Sequence, residues 1–142
     1  MENVKKGIQL IDHMVQDYEM HLNNKIQENL NIELNCTITF KLVKIEEKEK
    51  EKIGQISLDY TVDLAENKNN LGKIHLIMQA LFTTSLDISN EEFENMLKYD
   101  GTATAMPIIK AYVASNTALS GMPTIKLPVI DPAVFFKNEN KV

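Results

Sequence analysis

Hydrophobic and polar residues alternate without a break in two segments of the chain, residues 32–42 and 55–64. In both segments every even-numbered residue is apolar and every odd-numbered residue is polar. Successive side chains of a β-strand point to opposite faces, so this pattern predicts two strands with one buried face each. A third segment, residues 73–83, is apolar on its even positions and also carries Ile77 and Leu81 on its odd positions. This pattern is typical of a strand covered on both faces.

The segments between these strands are polar. Residues 44–52 alternate Glu and Lys, with Ile45 as their sole apolar member, which predicts a solvated hairpin tip with ragged strand ends. Residues 66–70 (ENKNN) have turn chemistry, because Asn tolerates the left-handed backbone of a tight connection. The three strands are therefore predicted to form an antiparallel meander.

The first thirty residues fit two structures. A helix is indicated by apolar residues at helical spacing: Ile8, Ile11, Val15, Tyr18 and Leu22. A strand is indicated by apolar residues on even positions, with Asp12 and Gln16 as exceptions: Ile8, Leu10, Met14, Tyr18, Met20 and Leu22. Periodicity slightly favours the helix and leaves both open.

The pattern becomes helical after residue 85. Ser89 followed by Glu92 is a capping box, and it predicts a short helix through Leu97. A second helix is predicted from about Thr104 to Leu119, with Pro107 in its first turn. One side of this helix carries small residues, which allow close approach either of the protein's own sheet or of a second subunit: Ala111, Ala114, Ser115 and Ala118.

The segment that follows is both apolar and rich in proline. Residues 122–132 (MPTIKLPVIDP) contain three prolines, so the chain is extended there and cannot be a central strand. An extended apolar segment has to lie on an apolar surface. Asp131 and Pro132 then predict the start of a last short helix.

Composition places the chain among ordinary globular proteins. It has 142 residues, 44% of them hydrophobic, and a net charge of −5, which predicts a single domain over residues 1–142. The lone cysteine, Cys36, suits a reducing compartment and is interpreted as a small buried hydrophobe. Without a signal peptide or a membrane-length apolar run we expect a cytoplasmic protein with no membrane span. The absence of a basic stripe argues against nucleic acid as a partner.

No local motif indicates catalysis. His13, His21 and His75 lack metal-ligand spacing, and there is no glycine-rich phosphate loop or nucleophile motif. We therefore expect no catalytic residue, no metal and no cofactor, and a protein that is not an enzyme. Six internal methionines either fill the core or line an adaptable binding surface.

Three stretches in register resemble the SecB protein-export chaperones. They are residues 79–82 (QALF), 106–109 (MPII) and 120–131 (SGMPTIKLPVID), and the resemblance covers roughly residues 8–136. It implies that residues 8–21 form a strand rather than a helix. It also implies an α+β fold in which a four-stranded antiparallel sheet, built as a meander, carries two or three helices on one face. Family members assemble as homotetramers, as dimers of dimers.

The resemblance implies an ATP-independent chaperone, a holdase that binds unfolded polypeptides in apolar grooves. One wall of the groove would be the inter-helix loop, with the following residues: Met122, Ile125, Leu127, Val129 and Ile130. The floor would come from the sheet: Tyr18, Met20, Leu76, Met78 and Phe82.

The partner that the resemblance implies is either a SecA-type translocase motor or a dedicated client such as an antitoxin. Exporting members carry an acidic face, for which this chain offers Asp17, Glu19, Asp59 and Asp63. The glutamate that exporting members have in the fourth strand corresponds here to His75, and their longer C-terminal tail has no counterpart.

Two other functions stay open. One is a small-molecule-binding or hydrolytic α+β domain that reuses the fold, which predicts a closed pocket around His75. The other is a structural scaffold whose grooves are filled by its own subunits.

Overall fold

The structure, a computed structural model, describes residues 7–23 and 31–139, with side chains up to residue 136. Four antiparallel strands form one sheet: β1 (Gln9–Leu22), β2 (Glu33–Lys48), β3 (Glu51–Glu66) and β4 (Asn69–Thr84). The order across the sheet is β1-β4-β3-β2, so β2, β3 and β4 are a meander and β1 lies on the far side of β4. The helices follow in sequence: α1 (Asn90–Met96), a π-helical segment (Leu97–Gly101), α2 (Thr102–Leu119) and α3 (Pro132–Glu139). The predicted α+β fold is confirmed.

Both hairpins are tighter than the sequence suggested. β2 and β3 continue through the charged residues 44–52 and turn at Glu49 and Lys50, where Glu49 has a φ of 57°. The solvated hairpin tip predicted for this segment is confirmed, but the ragged strand ends are wrong, because backbone pairing continues between strands whose side chains are solvated. β3 and β4 turn at Asn67 and Lys68, with φ of 50° and 71°. Positive φ at both central residues is the type I′ geometry that matches the twist of paired strands.

β1 is a strand with two bulges. Its register against β4 shifts between Leu10 and Asp12 and again between Val15 and Asp17. Each bulge adds one residue and reverses which residues face the core. Consequently Val15 packs against the core, whereas Met14, predicted for the buried face, is 56% exposed.

The helical part is one continuous run from Asn90 to Leu119. The capping box is confirmed: the Glu92 amide donates to Ser89 Oγ at 3.1 Å, and the Ser89 amide donates to Glu92 Oε1 at 3.0 Å. The π-helical segment joins α1 to α2 with αR backbone at Gly101, so α2 begins earlier than the expected Thr104. Pro107 is therefore the sixth residue of α2 and lies beyond its first turn, contrary to the prediction.

The core lies between one face of the sheet and the helices. The sheet contributes the even-numbered apolar residues of β3 and β4, all at most 1% exposed from Ile56 to Phe82. The buried side of α2 contains Thr102, Ala105, Met106, Ile109, Val113 and Thr117. Ala111, Ser115 and Ala118 are exposed and Ala114 is half-buried, so the small-residue side of α2 does not pack on the chain's own sheet.

The other face of the sheet is open. Ile77 and Leu81 of β4 are half-buried there, and no described helix covers them. The prediction that β4 is covered on both faces is therefore not met within one chain.

In the described part of the chain, no helix has the length and apolar character that a membrane crossing requires.

Candidate functional site

The proline loop, residues 122–131, runs over the core between α2 and α3. Met122, Ile125 and Leu127 are buried, at 7%, 4% and 3% exposure. Val129 is 87% exposed and Ile130 is half-buried. The loop is thus an extended apolar segment that inserts its first part into the core and presents its last part to solvent.

One hydroxyl group fastens the middle of this loop. The Ile125 amide donates to Thr117 Oγ1 at 3.0 Å, and that hydroxyl donates in turn to the Val113 carbonyl at 2.9 Å. At the start of the loop, the Met122 amide donates to the Thr117 carbonyl at 3.4 Å. Within the described residues, Thr117 Oγ1 is the sole hydrogen-bond partner of the backbone of residues 123–130. The loop is therefore held mainly by burial of apolar side chains.

The predicted groove floor lies beneath the helices. Leu76, Met78 and Phe82 are fully buried, and Phe82 packs against Gly101 of the π-helical segment. Tyr18 and Met20 are half-buried at the β1 side, where the Tyr18 ring meets Tyr112 edge-on with centroids 5.2 Å apart. The structure brings the predicted floor and loop residues together in one core, closed over by the loop and helices, with the exception of the exposed Val129.

Two tyrosine hydroxyls in this core have no hydrogen-bond partner among the described residues. They belong to Tyr18 and Tyr60, which both lie opposite Leu76 in the sheet register. Burial raises the pKa of both phenols. The neighbouring Tyr112 adds to the rise for Tyr18, and the neighbouring Cys36 thiol adds to it for Tyr60. Unpaired buried hydroxyls cost free energy, so a bound group that accepts from them would be stabilised. Sequence reasoning missed these hydroxyls, since tyrosine is an ordinary core residue.

Cys36 lies beside this core as predicted. It is half-buried, and burial raises the pKa of its thiol. A raised pKa disfavours the nucleophilic thiolate, in agreement with the interpretation of Cys36 as a packing residue.

The open face of the sheet carries the predicted acidic residues. His75 Nε2 lies 2.7 Å from Asp59 Oδ1, and potential ligand atoms of Asp17, Glu19 and His75 all lie within 4.8 Å of one another. Asp63 is further along β3, opposite Lys73. The structure therefore brings Asp17, Glu19 and Asp59 together around His75. Sequence spacing missed this cluster because its members come from three different strands.

A surface cavity of about 500 Å³ lies at this cluster. Its lining is polar and charged, with the following residues: Glu19, His21, Thr37, Thr39, Asp59, Thr61, Lys73 and His75. It lies on the face of the sheet opposite to the proline loop.

Comparison with solved structures identifies the fold. The SecB-like chaperone Rv1957 of Mycobacterium tuberculosis, solved in complex with a ChAD peptide from the antitoxin Rv1956 HigA1, superposes with a TM-score of 0.64. Its sequence is 14% identical, and the match covers 87% of this chain and 91% of that chain. A Streptococcus agalactiae protein of unknown function is 18% identical over 85% of this chain and 96% of that chain, with a TM-score of 0.48.

Sequence comparison alone does not reach these relationships. No protein-family model matches the chain, and no curated protein matches it. The likeness lies in the fold, which in this chain is a four-stranded antiparallel sheet of order β1-β4-β3-β2 with a long helix and a short helix. The chain has the SecB-like fold.

Proposed function

We propose that the protein is an ATP-independent holdase that binds unfolded polypeptides beneath its proline loop. The observation that carries this proposal is the loop itself: an apolar segment fastened by a single side-chain hydrogen bond over an apolar sheet. The fold likeness to a SecB-like chaperone solved with a peptide supports it. We further propose a cytoplasmic location.

Client binding in this account is an exchange of apolar contacts. Full burial of each large apolar side chain is worth roughly 1.5–3 kcal/mol, so withdrawal of Ile125 and Leu127 alone would cost several kcal/mol. A client side chain that takes their place on the sheet recovers most of that cost. Such an exchange depends on hydrophobicity and size rather than on sequence, as binding of many unfolded chains requires.

Backbone groups add a second source of affinity. Among the described residues the loop is not paired in a sheet, and β1 and β2, 14 and 16 residues long, each have one edge without a neighbouring strand. An extended client can pair with such edges by main-chain hydrogen bonds, whatever its side chains are. The unpartnered hydroxyls of Tyr18 and Tyr60 offer further donors on the buried face.

We propose two alternative partners for the holdase. Because the Mycobacterium tuberculosis chaperone was solved with an antitoxin peptide, we propose a dedicated client of that kind as one partner. A SecA-type motor that meets the acidic residues Asp17, Glu19, Asp59 and Asp63 is the alternative partner.

We also propose a homotetramer, a dimer of dimers, in which the exposed small residues of α2 form a subunit interface. Solution mass measurement tests the last point, and a stable monomer would contradict it.

The primary experiment is suppression of aggregation. Purified protein without nucleotide is mixed with a thermally or chemically unfolded reporter enzyme, and light scattering follows its aggregation. The proposal expects suppression that saturates near a fixed ratio of protein to client. No suppression, together with no binding of the unfolded reporter in pull-down, would refute the holdase.

The second candidate is a small-ligand or hydrolytic site, and the cavity at His75 is the observation that favours it. Several polar side chains point into this cavity, as a ligand site requires. Small-molecule pockets are, however, lined mostly by apolar and aromatic side chains, whereas this lining is polar throughout. Loss of a measured small-molecule binding or hydrolysis in His75→Ala, with intact client binding, would support this candidate over the first.

A further inference from the structure

We propose that His75, Asp17 and Glu19 bind a divalent transition-metal ion, with Zn²⁺ as the best-suited ion. The site is on the open face of the sheet and does not use the proline loop. It shares Asp17, Glu19 and Asp59 with the face proposed for a SecA-type motor, but it is independent of the client site beneath the proline loop.

The strand register places the three ligands. Glu19 of β1 lies directly opposite His75 of β4, and Asp17 lies opposite Ile77 on the same face. Ligand atoms of the three residues are within 4.8 Å of one another. Tetrahedral zinc with bonds of about 2.0–2.1 Å needs ligand atoms about 3.4 Å apart. Rotation of the exposed Asp17 and Glu19 side chains would have to bring their oxygens closer, on a backbone that the strand pairing holds in place.

The three carboxylates around His75 create a negative potential that favours binding of a cation. Asp59 faces the imidazole from β3, at 2.7 Å from Nε2, while Asp17 and Glu19 lie on the β1 side. A neutral imidazole that donates its one N–H to Asp59 has an unprotonated second nitrogen, which is a metal ligand. Carboxylates and an imidazole lone pair repel one another unless a cation lies among them.

Two basic side chains lie near the cluster, and one of them, His21, pairs with the proposed ligand Glu19. Lys73 lines the cavity but lies opposite Asp63 on one side and His21 on the other in the sheet register. His21 lies 3.6 Å from Glu19 and is 76% exposed. A bound metal ion would thus add the missing positive charge to a group of three carboxylates.

The ligand types select the metal. Mg²⁺ and Ca²⁺ prefer oxygen ligands alone, whereas imidazole nitrogen with carboxylate oxygen suits Zn²⁺ and its neighbours. Asp59 then acts as the carboxylate that orients a metal-bound histidine, an arrangement that recurs around zinc. Three protein ligands leave the fourth position open towards the cavity, where water or a partner's side chain can bind.

Titration of the metal-stripped full chain with ZnCl2, followed by calorimetry and by direct metal analysis after dialysis, tests the site. We expect saturable binding of one Zn²⁺ per chain. His75→Ala should abolish it, Glu19→Gln should weaken it at least tenfold, and Asp59→Asn should weaken it about 10–100-fold. Circular dichroism confirms that each variant is folded.

His13→Ala is the matched control, because His13 is an exposed histidine of the same strand as Glu19 but lies opposite Ala80, away from the cluster. Its zinc binding should equal that of the unaltered chain, and Cys36→Ser should do the same. No saturable binding, or binding that survives in folded His75→Ala, would overturn the proposal. Neither result bears on client binding, which is measured separately by aggregation suppression.

Discussion

Thr117 and Ile125 link the main helix to the proline loop by one buried hydrogen bond, with 3.0 Å between the Ile125 amide nitrogen and Thr117 Oγ1. Both residues are almost fully buried. Since the loop backbone has no other partner over residues 123–130 in the described chain, this bond and the side chains of Met122, Ile125 and Leu127 hold the loop closed. Opening of the loop therefore requires the loss of one hydrogen bond and the withdrawal of three side chains from the core.

Thr117→Val should destabilise the fold. Valine has nearly the shape of threonine but cannot accept from the Ile125 amide, and an unpaired buried donor costs about 1–3 kcal/mol. Urea unfolding followed by circular dichroism measures the loss. Thr102→Val is the matched control, because Thr102 is equally buried in α2 and its hydroxyl has no partner among the described residues. Its stability should be unchanged or higher, and an equal loss in both variants would contradict the role given to Thr117.

The same pair of variants separates loop opening from general destabilisation. If client binding requires release of the Ile125 amide, folded Thr117→Val should bind an unfolded reporter more tightly than Thr102→Val does. Fluorescence anisotropy of a labelled unfolded peptide gives both dissociation constants. Equal affinities would show that this hydrogen bond does not restrain client binding.

Val129→Asp should weaken client binding without loss of stability. Val129 is 87% exposed at the outer end of the proline loop, so a charge there costs little in folding but repels an apolar client. Val134→Asp introduces the same charge at a valine of α3 that is 56% exposed and lies outside the loop and the edge strands, and it should keep most of the affinity. Aspartate at Leu127 or Phe82 is unsuitable for this test, because both side chains are buried and an unpaired charge there would unfold the protein. Unchanged affinity in Val129→Asp would remove this part of the loop from the client site.

The sheet was largely predictable from the sequence, and β1 shows why one strand was not. Strands β2, β3 and β4 alternate regularly, so local pattern and tertiary structure agree. In β1 the two bulges move the core-facing positions from Leu10 to Val15 and then to Tyr18. The resulting spacing imitates that of a helix, and periodicity therefore favoured the wrong element. The family resemblance, carried by other parts of the chain, corrected it.

Gly72→Ala should destabilise the protein far more than Gly121→Ala. Both glycines have positive φ, 154° and 81°, a backbone conformation that costs other residues on the order of 1–3 kcal/mol. At Gly121 a methyl group would meet no atom within 4 Å, so this cost is the whole effect. At Gly72 the methyl group would collide with the His21 carbonyl of the paired strand, and β1 would have to move away from β4. Thermal unfolding of both variants measures the difference, and equal losses would contradict the observed pairing of β1 with β4.

The candidate sites were less predictable than the fold, for two physical reasons. The cluster of Asp17, Glu19, Asp59 and His75 is created by strand pairing, which local spacing does not record. The loop residues Ile125 and Leu127 were correctly identified as apolar and extended, but sequence cannot say whether such a segment lies open or closed. The anchor at Thr117 was missed because a threonine inside a helix carries no distinctive signal.

Stability should depend on the protonation of Glu92 at acid pH. Hydrogen bonds from the Ser89 amide and hydroxyl hold the pKa of Glu92 below the 4.5 of a free glutamate. A folded-state pKa below the unfolded value stabilises the protein above pH 4.5, and this contribution disappears as the pH falls through the folded value. Glu92→Gln should therefore lower the melting temperature at neutral pH and have a progressively smaller effect below pH 4.5. Ser89→Ala should behave similarly, and fully additive effects in the double variant would contradict the coupling.

Hydrogen exchange at the Ile125 amide tests the central claim, that the proline loop opens to admit a client. The account predicts that this amide exchanges through a local opening, at a lower free energy than the fully buried core strands β3 and β4, and that a saturating unfolded client accelerates its exchange. The contrary result is exchange of Ile125 only by global unfolding, at the same rate with and without client. The loop would then be a fixed part of the core, and the proposed client site would not exist.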